Sequence, residues 1–117
     1  MEPITRERFE ELVGEALDAL PAWVVDAMDN VSVQVEDLPP SGQPGLLGLY
    51  HGVPLSQRAR GYTNVLPDTI TLYRATIMRV AGADERRLRG VVTHTVAHEI
   101  AHHFGISDER LLEIDAY

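Results

Sequence analysis

The residues of this chain with the clearest chemistry are His98-Glu99-Ile100-Ala101-His102-His103-Phe104-Gly105-Ile106-Ser107-Asp108, which read HExxH extended to HExxHxxGxxD. On an α-helix, residues four apart lie one turn above each other, so His98 and His102 can offer neutral imidazole nitrogens to one metal ion. Zinc suits such a pair, and a catalytic zinc takes three protein ligands and leaves a fourth position to water. Glu99, about 100° further round the helix, reaches that water without occupying the metal and is placed to accept its proton. Past the last helical turn, Gly105 can adopt the left-handed conformation that reverses the chain and swings Asp108 back as third ligand. Glu109 and Glu113 stay open as alternatives for that third position. A helix can also carry two surface histidines and a glutamate with no metal. Shuffling this composition, however, gives HExxH about once in 70 chains and the full pattern about once in 10,000, so the extended match is specific.

The other histidines divide differently. His94 lies one turn before His98, but histidines at i, i+4 and i+8 drift by about 80° around the helix, which reads as rim or second sphere, or as a plain surface histidine. His103 shares the helical phase of Val92, Val96 and Ile100, the apolar stripe, and reads as a hydrogen-bonded residue at the edge of the core. Four residues after Glu99, it is also within reach of that carboxylate. His51 stands at a strand end, where an exposed histidine is ordinary.

Residues 93–108 resemble the signature of the small bacterial zincin-like metallopeptidase family. The likeness extends upstream, where Gly48-Leu49-Tyr50-His51-Gly52 and residues 66–74 are similar to that family's central strand and edge strand respectively. The resemblance implies a minimal zincin fold of the α+β class. In it a small, mainly antiparallel sheet packs on an N-terminal helix and a C-terminal metal-binding helix. It also implies His98, His102 and Asp108 as zinc ligands and Glu99 as the catalytic glutamate. The motif spacing is similar to that of the metzincins too, which place a methionine turn beneath the metal downstream of the third ligand. Met1, Met28 and Met78 all precede the motif, so that floor is not expected and the lower part of the cleft is missing or replaced.

The elements that must position these groups are legible from periodicity. Phe9, Leu12, Val13, Ala16, Leu17 and Leu20 recur at helical spacing after Thr5, a cap residue. Pro21 can open a second helical segment that ends at Asp29 and Asn30. Val31, Val33 and Val35 alternate with polar residues as in a half-buried strand. A Pro- and Gly-rich loop over residues 39–45 leads to a second strand at 46–50, and residues 55–67, with Arg58 and Arg60, read as a surface loop. Residues 69–73 give a third strand, Arg74 onwards a helix through Ile77, Met78 and Val80 to Ala81-Gly82, and Asp84-Glu85 the start of the metal helix, whose core face is Leu88, Val92, Val96 and Ile100. Ser107 suits the N-cap of a short last helix through Leu111, Leu112 and Ile114. Helix, strands, then helices within 117 residues predict a single α+β domain spanning 1–117.

Composition narrows the partners. A formal net charge of −8 and a pI near 4.9 argue against nucleic acid, which needs clustered positive charge, and against anionic membrane surfaces. The chain has no cysteine, so neither a disulfide framework nor a thiolate zinc site is available, which is compatible with a reducing cytoplasm. Neither a signal peptide nor an apolar run of membrane-spanning length is visible. The expectation is a cytoplasmic zinc-dependent peptidase with a peptide or protein substrate, its oligomeric state unspecified. The substrate would pair with the strand at residues 70–73, and Tyr73 or Arg74 would stabilise the oxyanion or, equally, serve as a packing tyrosine and a surface arginine. The alternative is a zinc-stabilised binding or regulatory module with little turnover, for which Glu99 would have no purpose.

Overall fold

The longest element of the computed structural model is the 19-residue helix α4 (Glu85–His103). Residues 4–52 and 67–105 are described. Asp108, Glu109, Glu113, the Ser107-capped helix and the loop carrying Arg58 and Arg60 lie outside them. Helix α4 starts where sequence reasoning placed it: the Asp84 carboxylate accepts a hydrogen bond from the backbone N–H of Arg87 at 3.2 Å, and Glu85 adds negative charge to the first turn. It ends at Phe104, followed by Gly105 at φ +76°, the left-handed reversal expected there. Leu88, Val92, Val96 and Ile100 have no exposed surface and run down one side of the helix. Each such side chain withdrawn from water contributes roughly 1.5–3 kcal/mol, an upper estimate that makes this stripe the centre of the core.

The other helices pack around that stripe. Helix α1 (Arg6–Asp18) is capped by Thr5, whose hydroxyl accepts from the Arg8 N–H at 3.1 Å. It lays Phe9, Leu12, Val13 and Ala16 against α4. Arg8 grips Glu85 with two hydrogen bonds, of 2.7 and 3.0 Å, so α1 is tied to the start of α4 by charge as well as by burial. Helix α2 (Ala22–Ala27) follows Pro21, which occupies the N-cap, and adds the buried Val24. The chain then leaves through Asn30 at φ +58°. Helix α3 (Arg74–Ala81) runs directly out of the sheet and stops at Gly82, whose φ of +69° a side-chain-bearing residue adopts poorly.

Three strands complete the described fold: β1 (Val31–Glu36), β2 (Gly48–His51) and β3 (Asp68–Tyr73), in the order β1-β3-β2. Strand β1 pairs parallel to β3, and β2 antiparallel to it. The fold is thus the expected α+β arrangement, but its sheet is mixed rather than mainly antiparallel, and the resemblance's strand assignment is reversed. Among the described strands, residues 68–73 are the central one and Gly48–His51 lies at an edge. Consequently the backbone of residues 70–73 is already paired on both sides and has no ladder to offer a peptide. The register puts Val31, Val33 and Val35 beside Asp68, Ile70 and Leu72, and Gly48 and Tyr50 beside Leu72 and Ile70, all on the face towards the helices. On the opposite face Gln34 donates to the Thr71 hydroxyl at 2.9 Å, and the Ser32 and Thr69 hydroxyls pair at 3.4 Å. These polar bonds explain why a central strand alternates Thr-Ile-Thr-Leu like a half-exposed one. Among the described residues no helix is long and apolar enough to cross a membrane.

Candidate metal and catalytic site

One groove, of about 260 Å³, lies between β2 with the segment before it and the outward face of α4, and His94, His98, Glu99 and His102 line it. Three of the four residues expected to hold the metal or act as base, His98, Glu99 and His102, are therefore brought together. The rings of His98 and His102 stand with centroids 5.5 Å apart at an interplanar angle of 76°. His94 is different: it stacks on His98 at 4.1 Å and 30°. In-plane nitrogen lone pairs on two rings stacked in this way do not converge on one ion, so His94 packs against the His98 ring at the groove, a geometry that suits the rim reading better than a shared metal.

Glu99 is held by a bond that sequence reasoning did not anticipate. Its Oε1 accepts from the backbone N–H of Tyr50 at 3.0 Å. His103, read as a candidate partner for Glu99, instead stacks on the Tyr50 ring at 3.9 Å and 18°, with its Nε2 4.0 Å from Oδ2 of Asp68. The Tyr50 hydroxyl donates to that same carboxylate oxygen at 2.6 Å. Asp68 is only 8% exposed, and nothing in its sequence context marks it beyond a turn residue before a strand.

Gly48 lets β2 approach the helix so closely. A Cβ at that position would lie 2.8 Å from Cγ2 of Thr95 and 3.2 Å from the carbonyl oxygen of Thr71. Glycine inside a strand pattern is the available sequence signal for such an approach. Thr95 itself is buried and returns its hydroxyl to the Val91 carbonyl at 2.7 Å.

Tyr73 and Arg74 do not line the groove. Tyr73 is 2% exposed, and burial raises its phenol above the usual tyrosine range, with the charges of Glu36 and Glu99 adding to the effect. Arg74 donates from Nε to Asp37 at 3.0 Å and from Nη1 to the Met78 sulfur at 3.8 Å. His51 is exposed at the end of β2.

Two imidazoles one helical turn apart, set edge to face beside a carboxylate, form the donor set that zinc takes from an HExxH helix. The residues present thus fit two ligand positions. Among the described residues no group of three His, Asp or Glu side chains converges to hold a metal, and Asp108, the expected third ligand, lies outside them.

The chain belongs to the zincin-like metallopeptidase family, whose model matches residues 28–117. Among solved structures it is similar to a conserved hypothetical protein from Thermo thermophilus, at 30% identity over 95% of this chain and 100% of that one, with a TM-score of 0.57. No curated protein matches it.

Proposed function

We propose that the protein is a zinc-dependent peptidase in which His98, His102 and Asp108 hold the metal and Glu99 is the general base. The observation that carries this reading is the convergence of both imidazoles and the Glu99 carboxylate on one groove beside a sheet edge, in a chain of a metallopeptidase family. Bound there, zinc would supply Lewis acidity, polarising a carbonyl and bringing the pKa of water to about 7. Glu99 accepts the proton of the attacking water and delivers it to the leaving amine. Oε1 is engaged by Tyr50, and the other carboxylate oxygen has no protein partner among the described residues, which leaves it for this transfer.

The peptide is taken up at β2 rather than β3. Tyr73 N–H donates to the Leu47 carbonyl at 2.9 Å, which fixes the parity of the antiparallel ladder. Leu49 faces β3, while the main-chain groups of Gly48 and Tyr50 point outwards. Tyr50 N–H is used by Glu99, and Gly48 lines the groove with its amide and carbonyl on the outer edge, where an extended segment adds by backbone pairing.

The test of the metal assignment is stoichiometry. Purified protein reconstituted with zinc should bind about one ion per chain, and His98→Ala or His102→Ala should remove most of it. Asp108→Ala should weaken binding by 10- to 100-fold or more, on the order of the loss produced by removing even an outer partner of a ligand. Less than about 0.2 equivalents in the wild type would exclude a zinc site. Unchanged affinity in Asp108→Ala would pass the third position to Glu109 or Glu113.

A further inference from the structure

We infer that Tyr50, Asp68 and His103 form a clamp that aims the Tyr50 backbone N–H at Glu99, which makes them positioning residues for the general base. The inference rests on the peptidase reading for its catalytic consequence, but the clamp itself is observable without turnover. Tyr50 lies next to last in a strand of four residues, and its N–H points away from β3, so the ladder restrains that donor only indirectly, through the Leu49 carbonyl of the same peptide unit. Ends of edge strands are the first parts of a sheet to open. A donor that moves cannot select one orientation of a side chain with three rotatable bonds, as Glu99 has.

The side chain of Tyr50 adds a second, direct constraint from two directions. At 2.6 Å its hydroxyl meets Asp68 within the charge-assisted range of an O–H donor on a carboxylate. Its ring is covered by His103 at 3.9 Å, nearly parallel, and His103 is in turn braced edge-on by Phe104 at 5.0 Å. Asp68 begins the central strand and His103 ends the metal helix, so the clamp references Tyr50 to the two elements that carry the core and the ligands. None of the three residues lines the groove, so they act through Glu99 rather than on a peptide.

Backbone amide hydrogen exchange on the full chain, read by NMR at positions 49 and 50, tests the clamp. Leu49 N–H is bonded into β3 and serves as the internal control. In the wild type the amide of residue 50 should be protected; Glu99→Ala should speed its exchange at least ~10-fold, and Tyr50→Phe and His103→Ala by roughly 3- to 10-fold, with Leu49 unchanged. His103→Phe, which keeps the stacking surface, should retain protection. A residue-50 amide that is unprotected in the wild type, or indifferent to Tyr50→Phe and His103→Ala, overturns the clamp. Equal acceleration at Leu49 also overturns it, because the cluster would then merely hold the strand. In the second arm, with zinc content verified for each variant, Tyr50→Phe should lower kcat about 10-fold at unchanged KM, and His103→Phe should rescue most of the kcat lost in His103→Ala. Wild-type protein that cleaves nothing defeats the peptidase reading and leaves the exchange arm to decide the clamp. Exchange that responds while kcat does not refutes the positioning role.

Discussion

At the scale of single residues, the site depends on contacts of very different sequence visibility. His98, Glu99 and His102 could be read directly because their relation is local: helical geometry alone puts them on adjoining faces. Glu99 and Tyr50 are separated by 49 positions, and their bond uses a backbone N–H, which leaves no residue-type signature. Gly48 lies between these cases, since its type signals a close approach but not to what. The contact it permits makes a sharp prediction. Gly48→Ala should destabilise the fold by about 1–3 kcal/mol in urea denaturation, the usual cost of forcing extra volume into a packed contact. Because the nearest atom is the Thr95 methyl at 2.8 Å, adding Thr95→Ser should recover part of that loss. The Thr71 carbonyl at 3.2 Å sets the remainder. Strictly additive effects in the double-mutant cycle would show that β2 relaxes away from the helix without meeting Thr95.

At the scale of elements, the helices were legible and the sheet order was not. The apolar spacing of α1 and the stripe of α4 recur within one or two turns, and caps at Thr5 and Asp84 mark their starts chemically. Strand order depends on partners instead. The pairing of β1 with β3 joins Ser32 to Thr69 and Gln34 to Thr71 across 37 positions, and those hydroxyl and amide bonds are why β3 looks like a half-exposed strand. Asp84 allows an element-level test. Asp84→Ala removes the side-chain acceptor at the N-terminus of α4 and should cost about 0.5–2 kcal/mol of stability. Asp84→Asn should retain most of it, and amide exchange should accelerate in the first turn without reaching His98. Loss of zinc affinity in Asp84→Ala would mean that the cap and the ligands are coupled along the whole helix rather than acting independently.

At the scale of the whole molecule, the ion pairs that fasten α1 give stability a defined pH dependence. The hydrogen bond from Arg8 holds the Glu85 carboxyl below its usual range, and the hydrogen bond from Arg74, with the Arg6 charge adding, does the same for Asp37. A depressed carboxyl contributes stability above its unfolded pKa, about 4.3 for Glu and 3.9 for Asp, and loses it as the pH falls below that region. Tyr73, raised by burial and by Glu36 and Glu99, contributes in the opposite sense: its share is complete below about pH 10 and disappears as the pH rises through the elevated value. The urea midpoint should therefore fall at both ends, with Arg8→Gln flattening the acid limb and Tyr73→Phe the alkaline one, and the acid effect should shrink in high salt because both pairs keep part of their surface in water. An acid limb insensitive to Arg8→Gln would contradict the assignment. The central claim, that the intact chain hydrolyses peptides through Glu99, is tested most directly by cleavage of a broad peptide library by wild type and Glu99→Gln, each with its zinc content measured. Glutamine keeps the size of the side chain and an acceptor for Tyr50 N–H but removes the basic carboxylate. The expected result is equal zinc in both proteins, wild-type cleavage abolished by a chelator and restored by zinc, and a fall of roughly 100- to 10,000-fold in Glu99→Gln. Equal cleavage by the two proteins, or none by the zinc-loaded wild type, would contradict it.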